Sequence, residues 1–341
     1  MQKIQKYYSS PRISQSALKD LAYHPLYYKA KHIDKKLSEE YGDEAEHFLI
    51  GSLAECILLT PEYIEQMYAI RTFELSPQIR KFVDYIVKNK IDYSSYDILF
   101  DIGKSLSLFG NIKSIDTFKN TLEKEKFEEA VYFYEQNSGK SIVTEELYNK
   151  AAEISNSFLH SPLTTQYFTQ GPNVEILTSL DIYWFYEKVA CKSLLDFVRI
   201  NHSNRTITLN DLKTTRTPVS DFISTVIKYR YDIQAAFYMD AFKWWVQNIR
   251  TDLADYEILG FSFFVESTNN IGSPLIYHVP KSTIYIGKYG ADIINNGVKK
   301  TLIGFDELIT NFKWHMENNT WSYTKKQYEN KGIIDINIET C

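Results

Sequence analysis

The chain of 341 residues has only three cysteines, which are scattered as Cys56, Cys191 and Cys341. An odd number of cysteines without a CxxC spacing argues against a disulfide framework and against a cysteine-based zinc site. We therefore expect a reducing, cytoplasmic setting. The N-terminal residues MQKIQKYYSSPRIS have no apolar signal core, and no apolar run approaches membrane-spanning length, so we expect no membrane association.

Basic residues are fewer than acidic residues. The chain has 38 Lys and Arg against 43 Asp and Glu, a formal net charge of −5. This balance disfavours a protein that coats nucleic acid through general positive charge, so DNA binding would require a local basic groove. A metal site built from carboxylates adds negative charge itself, so the acidity does not exclude a nuclease. The sequence has no Walker loop or GxGxxG motif, so neither an ATPase nor a helicase is indicated, and its histidines show no HExxH spacing.

Apolar residues are abundant, at 44% hydrophobic and 15% aromatic, which is enough for a sizeable core. Helix patterns begin at Ser14, and the pattern over residues 71–160 predicts polar helices. After Pro172 three strand segments follow, then a helical segment to Asn248, two more strands and a predicted helical segment over residues 282–319. We predict a single α/β (α+β) domain over residues 12–341, in which helices flank a mixed central β-sheet and residues 71–160 form a helical insert.

Two predicted neighbouring strands carry residues suited to metal chemistry. Asp211 and Lys213 are two apart on a strand and project to the same face, whereas Leu212 points away. Asp196 lies on the preceding strand and is expected beside Asp211 as a cross-strand neighbour. Opposed carboxylates are unfavourable unless a cation lies between them, and Mg²⁺ prefers oxygen ligands. Lys213 would then stabilise charge on a phosphate or position a water. A DxK pair also occurs by chance as a salt-bridged surface pair.

Four further residues are possible companions of this pair. Gln234 and Tyr238 have i, i+4 spacing on one helix face just downstream and could hold Lys213, a water or a phosphate, or could simply be buried helix residues. Glu175 heads the first strand and either completes the site or is a surface charge. Glu55 lies among apolar neighbours on a predicted buried helix, where a carboxylate should either be paired with a base or bind a cation.

Several segments, taken in order, resemble the PD-(D/E)XK nuclease superfamily, in particular its exonuclease VIII-like branch with RecB-type features. They are ISQSALKDLAYHPLYYKA, GSLAECILLTPEYIEQM, Glu175, LLDFVRI, DLKTT and KYRYDIQAAFY, and they cover about half of the chain. The resemblance implies a restriction-endonuclease-like core that binds Mg²⁺ or Mn²⁺.

By this resemblance Asp196 and Asp211 are metal ligands, the carbonyl of Leu212 is a third, and Lys213 assists hydrolysis. Gln234 and Tyr238 match the QxxxY helix of the family. Glu55 stands where relatives commonly have a His, and an acid can replace a His as a ligand for a hard metal. The replacement could equally alter the metal preference or abolish activity.

The resemblance also implies a function. It predicts a 5′→3′ exonuclease acting on double-stranded DNA ends in phage-type recombination, beside a single-strand annealing protein, as a ring-like homo-oligomer such as a tetramer. Two alternatives remain open, a nuclease-fold DNA-binding protein that has lost catalysis and an endonuclease of the same superfamily. The candidate DNA contacts are Arg199, Arg216, Lys228 and Arg230.

Overall fold

The structure is a computed structural model that describes residues 2–37, 43–295 and 298–333. The chain forms two compact units. The first comprises Met1–Pro61 together with Lys150–Cys341, and the second comprises Glu62–Asn149. Cys341 lies outside the described residues, and Cys56 and Cys191 are buried residues that are not joined in a disulfide. None of the described helices is long and apolar enough to cross a membrane.

Helices precede the central sheet. They are α1 (Gln2–Ser9), α2 (Gln15–Tyr23), α3 (Pro25–Tyr28), α4 (Asp43–Leu59) and α5 (Ile64–Met67). The next elements are β1 (Tyr68–Arg71), α6 (Pro77–Lys88), α7 (Tyr96–Ser105), α8 (Ile115–Lys124), α9 (Phe127–Gln136), β2 (Ser141–Thr144), α10 (Glu145–His160) and α11 (Thr165–Phe168).

The sheet and its covering helices occupy the C-terminal half. They are β3 (Val174–Tyr186), β4 (Val189–Asn201), β5 (Thr206–Thr215), α12 (Phe222–Tyr229), α13 (Tyr231–Asn248), β6 (Glu257–Ser267) and β7 (Leu275–Val279). The remaining elements are α14 (Lys281–Tyr289), β8 (Ala291–Asn295), β9 (Val298–Leu302), α15 (Phe305–Asn318) and α16 (Lys325–Glu329).

The five-stranded sheet has the order β3-β4-β5-β6-β7. Strands β3, β4 and β5 form an antiparallel meander, β5 and β6 are parallel, and β7 returns antiparallel to β6. The parallel pair requires a crossover, which α12 and α13 supply. The predicted α/β (α+β) class, with a mixed central sheet flanked by helices, is confirmed.

Helix α13 lies on the sheet and is buried along most of its length, including Ile233, Phe237 and Phe242. On β5 the alternation of side chains directs Ile207 and Leu209 into this shared core. The next residues of the same parity are Asp211 and Lys213, so both project to the face that α13 covers. Local strand geometry thus places charged groups at the end of an apolar interface.

Strand β4 changes phase at Asp196. Its core-facing residues are Cys191 and Leu195 before this position and Val198 and Ile200 after it. On the paired strand β3, Ser179 has a left-handed backbone with φ of 46°. With strict alternation from Leu195 onward, Asp196 would point to the face opposite the core. Because the alternation shifts by one residue, Asp196 instead has the same parity as Val198 and Ile200, which face the core.

The predicted helical segment over residues 282–319 is wrong in its middle. Two helices, α14 and α15, flank an antiparallel hairpin of β8 and β9. The hairpin strands contain several β-branched residues, which favour extended backbone, and Gly290 ends α14 with φ of 81°. A Cβ at Gly290 would lie 2.4 Å from the Leu302 carbonyl oxygen, so the hairpin closes tightly on this glycine.

The second unit, Glu62–Asn149, has a core of its own. Strands β1 and β2 pair in parallel, and helices α6 to α9 enclose a cluster of fully buried aromatic rings. Phe82 stacks on Phe127 and meets Phe109 edge-on. Both arrangements are favourable for aromatic rings, so this unit is held by the same kind of packed interior as a small domain.

Candidate functional site

A cavity of about 630 Å³ lies in the first unit, at the C-terminal end of β5. Its walls come from α2, α4, α10, the residues that follow β5, and the α12–α13 segment. The side chains that matter for its chemistry are Gln15, Lys19, His47, Phe48, Glu55, Lys213, Arg216, Lys228, Tyr229, Tyr231 and Gln234.

Asp211 lies beneath this cavity and is 1% exposed. Its Oδ1 accepts a hydrogen bond from Gln234 Nε2 at 2.5 Å, and its Oδ2 accepts one from Lys213 Nζ. The strand positions Asp211 and Lys213, and α13 positions Gln234 above them. The carboxylate is therefore held in one orientation by two donors from different elements, as a structural basis for a precise site requires.

Asp196 approaches the same place through the main chain of β5. Its Oδ2 accepts a hydrogen bond from the Leu212 amide N–H at 2.7 Å. The carbonyl oxygen of Leu212 lies 3.4 Å from Lys213 Nζ. Asp196 on β4 therefore binds the peptide group that joins Asp211 to Leu212 on β5. This contact holds the two aspartates near each other on neighbouring strands.

Glu55 lines the cavity from α4. Burial, and then the nearby charge of Asp211, raise the pKa of Glu55 to about 7, while Lys213 opposes the rise. Its charge also acts on Asp196, so the three carboxylates share one electrostatic environment. Helix α4 can come this close because it packs through Gly51, where a Cβ would lie 2.9 Å from Thr214 Oγ1.

The remaining pKa shifts have the same origin. Burial, followed by the charges of Asp211 and Glu55, raises the pKa of Asp196 well above its ordinary value. Burial also raises the pKa of Asp211, although Lys213 counteracts it. For Lys213, burial alone would lower the pKa, but the Asp211 carboxylate outweighs burial and the pKa is raised. Three buried carboxylates lie near Lys213, with Lys19 also acting on Asp211, and a bound cation would stabilise their ionised forms.

The donor set suits a hard divalent cation. Within the described residues, no group of three or more His, Cys, Asp and Glu side chains is placed so that it could hold a metal ion. Mg²⁺ does not require such a group, because it is often held by one or two carboxylates with water and substrate phosphate completing its coordination. One or two of the carboxylates of Asp196, Asp211 and Glu55, together with the Leu212 carbonyl, would be the oxygen donors that hold it.

Tyr238 lies one helical turn beyond Gln234 and is 7% exposed. Burial, with the nearby Tyr7, Asp211 and Asp196, raises the pKa of its hydroxyl far above the ordinary value. The Gln15 amide lies beside that hydroxyl, and Gln15 Oε1 is buried with no hydrogen-bond partner in the part of the chain that the structure describes. Tyr238 therefore stays protonated behind the carboxylates, where it can donate a hydrogen bond.

Gln15 and Lys19, both on α2, also line the cavity and were not predicted as site residues. A β-bridge of Ile13 to Cys191 and the cap at Ser14, whose Oγ accepts from Ala17 N at 3.3 Å, set the start of this helix. Lys19 Nζ donates to the Tyr229 carbonyl at 3.2 Å, and burial with the charge of Lys213 lowers its pKa to about 8. The helix was predicted, but periodicity does not say that its polar face would meet a strand end more than 190 residues later.

A loop after β6 supports the cavity wall, and it also was not predicted. Thr268 N donates to the Thr215 carbonyl at 2.8 Å, and Asn269 Nδ2 donates to the Arg216 carbonyl at 2.9 Å. The loop is fixed in turn by Glu266, which is fully buried and accepts from Ser267 N at 2.7 Å and from Gly272 N at 3.0 Å. Glu266 thus holds backbone rather than a ligand.

Glu175 is not part of the cavity. Its carboxylate pairs with Arg250 at 3.1 and 3.2 Å and with His202 at 3.2 Å. These contacts, Arg250 first, lower its pKa. Glu175 is therefore a charge at the strand end, because the Arg250 guanidinium engages both of its carboxylate oxygens.

The four candidate DNA contacts divide in the structure. Arg216 and Lys228 line the cavity. Arg230 instead pairs with Asp232 at 3.0 and 2.9 Å and donates to the Ile303 carbonyl at 2.7 Å, so it holds backbone. Arg199 lines a separate, open groove between β4 and the residues around α11, because the opposite parity on β4 turns it away from Asp196.

Comparisons with known proteins leave the family open. No family model matches the chain, and no curated protein matches it. Among solved structures, the chain is similar to a protein of Eubacterium rectale described as a "Putative exonuclease", with a TM-score of 0.45 and 12% identity over 98% of this chain and 95% of that one. A similarity of this size supports no conclusion about activity.

Proposed function

We propose that this chain is a divalent-metal-dependent nuclease that hydrolyses phosphodiester bonds at the ends of double-stranded DNA. The observation that carries the proposal is the hydrogen-bonded group of Asp211, Lys213 and Gln234, with Asp196 bonded to the Leu212 amide, beside the cavity that Glu55 lines. Perturbed carboxylate pKa values beside a fixed lysine are typical of catalytic sites. A bound Mg²⁺ or Mn²⁺ would supply charge stabilisation at the phosphate that is cut.

The side chains have separate roles in this proposal. Lys213, whose raised pKa keeps it protonated, donates a hydrogen bond to the phosphate oxygen on which charge develops. Gln234 holds the Asp211 carboxylate in position. Glu55, with a pKa of about 7, can be ionised as a metal ligand or can accept a proton from water at neutral pH. Tyr238 supports the carboxylates from behind.

The finer features of the proposal rest on the sequence resemblance alone. They are the 5′→3′ polarity, the role in recombination beside a single-strand annealing protein, and the ring-like homo-oligomer. The cavity itself favours a nucleic-acid substrate, because Arg216 and Lys228 lie on its wall.

A digestion assay tests the proposal. Purified chain is incubated with linear and with closed circular DNA, with Mg²⁺ or with EDTA. We expect Mg²⁺-dependent degradation of the linear DNA only. The variant Asp211→Asn should lose this activity, and the matched variant Asp101→Asn, at an exposed position in the second unit, should retain it.

The outcomes separate the alternatives. Cutting of circles would identify an endonuclease. DNA binding without digestion in any metal would identify a nuclease-fold binding protein. Normal digestion by Asp211→Asn would show that hydrolysis is carried out elsewhere in the molecule.

A further inference from the structure

The cavity has a charge balance opposite to that of the whole chain. Among the described residues, its lining contains Lys19, Lys213, Arg216 and Lys228 but a single acidic side chain, Glu55. The chain as a whole has a net charge of −5. Because the aspartates lie beneath the lining, the surface that a ligand meets is basic. Such a local concentration of cations favours a polyanion.

Two aromatic side chains accompany these cations, and we name them the aromatic rim. Phe48 on α4 is 55% exposed and Tyr229 at the end of α12 is 41% exposed. Both line the cavity, from different elements. One exposed ring is common on protein surfaces, but two rings together beside cations are the composition of sites that bind single-stranded nucleic acid.

The orientation of Tyr229 is fixed by a ladder of rings. Tyr229 stacks on Tyr231 at 5.9 Å, and Tyr231 stacks on Phe222 at 5.8 Å, with interplanar angles of 29° and 27°. Arg230 between them has a left-handed backbone, φ 53°, and its ion pair with Asp232 holds this break between the helices. The ring is therefore presented to the cavity in a set geometry rather than as a mobile side chain.

The same ladder connects the rim to the chemistry. Lys213 Nζ lies 5.1 Å and Lys19 Nζ 5.6 Å from the centre of the Tyr231 ring. At the outer end, Lys228 Nζ lies 4.9 Å from the centre of the Tyr229 ring. A chain of alternating phosphates and bases could follow this path, with cations for the phosphates and rings for the bases.

We propose that the aromatic rim stacks on unpaired bases, so that a single DNA strand, separated from its complement, enters the cavity. This inference rests on the proposed function and specifies the form of its substrate. Within a duplex the base faces are covered by neighbouring pairs, and only the outer face of the terminal pair at an end is open to Phe48 and Tyr229. Exposed rings contribute binding energy only to a ligand with free base faces.

Binding measurements test the role of the rim without cleavage. The full chain is titrated in EDTA with three fluorescent probes of equal length, a single strand, a single strand with abasic sites and a blunt duplex. We expect the wild-type chain to prefer the normal single strand to the abasic one. Phe48→Leu and Tyr229→Leu should each weaken binding of the normal strand about tenfold and remove this preference.

Matched variants control for folding and for general apolar contact. Phe48→Tyr and Tyr229→Phe keep a ring and should keep the affinity for the normal strand. Tyr285→Leu removes a ring that is 61% exposed on α14 outside the cavity lining, and it should change nothing. The inference is overturned if the wild-type chain binds the normal and abasic strands equally, binds none of the probes, or is unaffected by the two leucine substitutions.

Digestion in Mg²⁺ separates this inference from the proposed function. If the rim binds single strands as expected but linear DNA stays intact, the nuclease proposal fails and the binding inference stands. If linear DNA is degraded and the leucine variants degrade frayed and blunt ends at wild-type rates, the nuclease proposal stands and the rim inference fails.

Discussion

At the scale of single residues, the site depends on buried polar groups that satisfy each other's charge and hydrogen-bonding capacity. Lys213 keeps Asp211 from bearing an uncompensated buried charge, and Gln234 fixes the second oxygen of the same carboxylate. Removing one partner of a buried pair leaves the other unsatisfied, which costs more than the pair contributes. The effect of each substitution here must therefore be measured on stability as well as on activity.

The first prediction concerns the charge of Lys213. Lys213→Met removes the hydrogen-bond donor to the phosphate, and we expect kcat for DNA digestion to fall about 100-fold or more. The measurement is digestion of linear DNA under saturating substrate, with the melting temperature recorded in parallel. Lys243→Met, at a half-exposed position of α13, is the control. Unchanged kcat in a folded Lys213→Met variant would contradict the role given to this residue.

The second prediction concerns pH. The folded-state pKa of Glu55 is raised to about 7 from 4.5, so the folded chain holds a proton that the unfolded chain has lost between these values. Its contribution to stability is complete below pH about 4.5 and is lost as pH rises through about 7. Asp196 and Asp211 are shifted in the same direction.

Because a metal requires the ionised carboxylates, stabilisation by Mg²⁺ should be larger at pH 8 than at pH 6. Melting temperatures with and without Mg²⁺ at both pH values measure this. Glu55→Gln should reduce both the pH dependence and the gain from Mg²⁺. An equal gain from Mg²⁺ at both pH values would argue against Glu55 as a ligand.

At the scale of elements, glycines set how closely helices approach their neighbours. Gly51 lets α4 bring Glu55 to the aspartates, and Gly287 lets α14 pack on α13. A Cβ at Gly287 would lie 2.0 Å from the Asp232 carbonyl oxygen. That oxygen belongs to backbone, so the contact cannot be relieved by a side-chain rotation.

The third prediction follows from this contact. Gly287→Ala gains helix propensity but forces α14 away from α13, and we expect the free energy of unfolding to fall by about 1–3 kcal/mol. Urea unfolding measures the change. Gly171→Ala is the matched control, since its added Cβ would meet nothing within 4 Å. A Gly287→Ala chain as stable as the wild type would show that the two helices separate without cost.

The fourth prediction concerns the approach of α4. Gly51→Val should move this helix away from β5, because its side chain would meet Thr214. We expect weaker Mg²⁺ binding with the fold retained, measured by calorimetric titration of Mg²⁺ and by circular dichroism. If the variant binds Mg²⁺ normally, Glu55 does not need its present position.

At the scale of the whole molecule, residues 62–149 form a unit with its own aromatic interior. Phe82→Ala would remove a fully buried ring from it, and we expect the free energy of unfolding of this unit to fall by about 3–5 kcal/mol. Hydrogen exchange of the amides of α6 to α9 measures this effect. Tyr132→Ala, at a ring that is 60% exposed, is the control and should leave the exchange rates unchanged.

The order of elements around the site was predictable because it follows from local patterns of strand alternation and helical spacing. Alternation over β5 predicted that Asp211 and Lys213 share a face, and the i, i+4 spacing placed Gln234 and Tyr238 together on α13. The hairpin over 291–302 was not predicted, since short β-branched runs between helices are ambiguous until they pair.

The sequence by itself determined the class of the fold and the residue types of the site, because both follow from short-range periodicity and from side-chain chemistry. Tertiary structure decided which of those residues meet. It added Lys19, Gln15 and the aromatic rim, and it assigned Glu175 and Arg230 to ion pairs instead. The physical reason is that burial, charge coupling and stacking depend on distances between segments far apart in the chain, which no local pattern encodes.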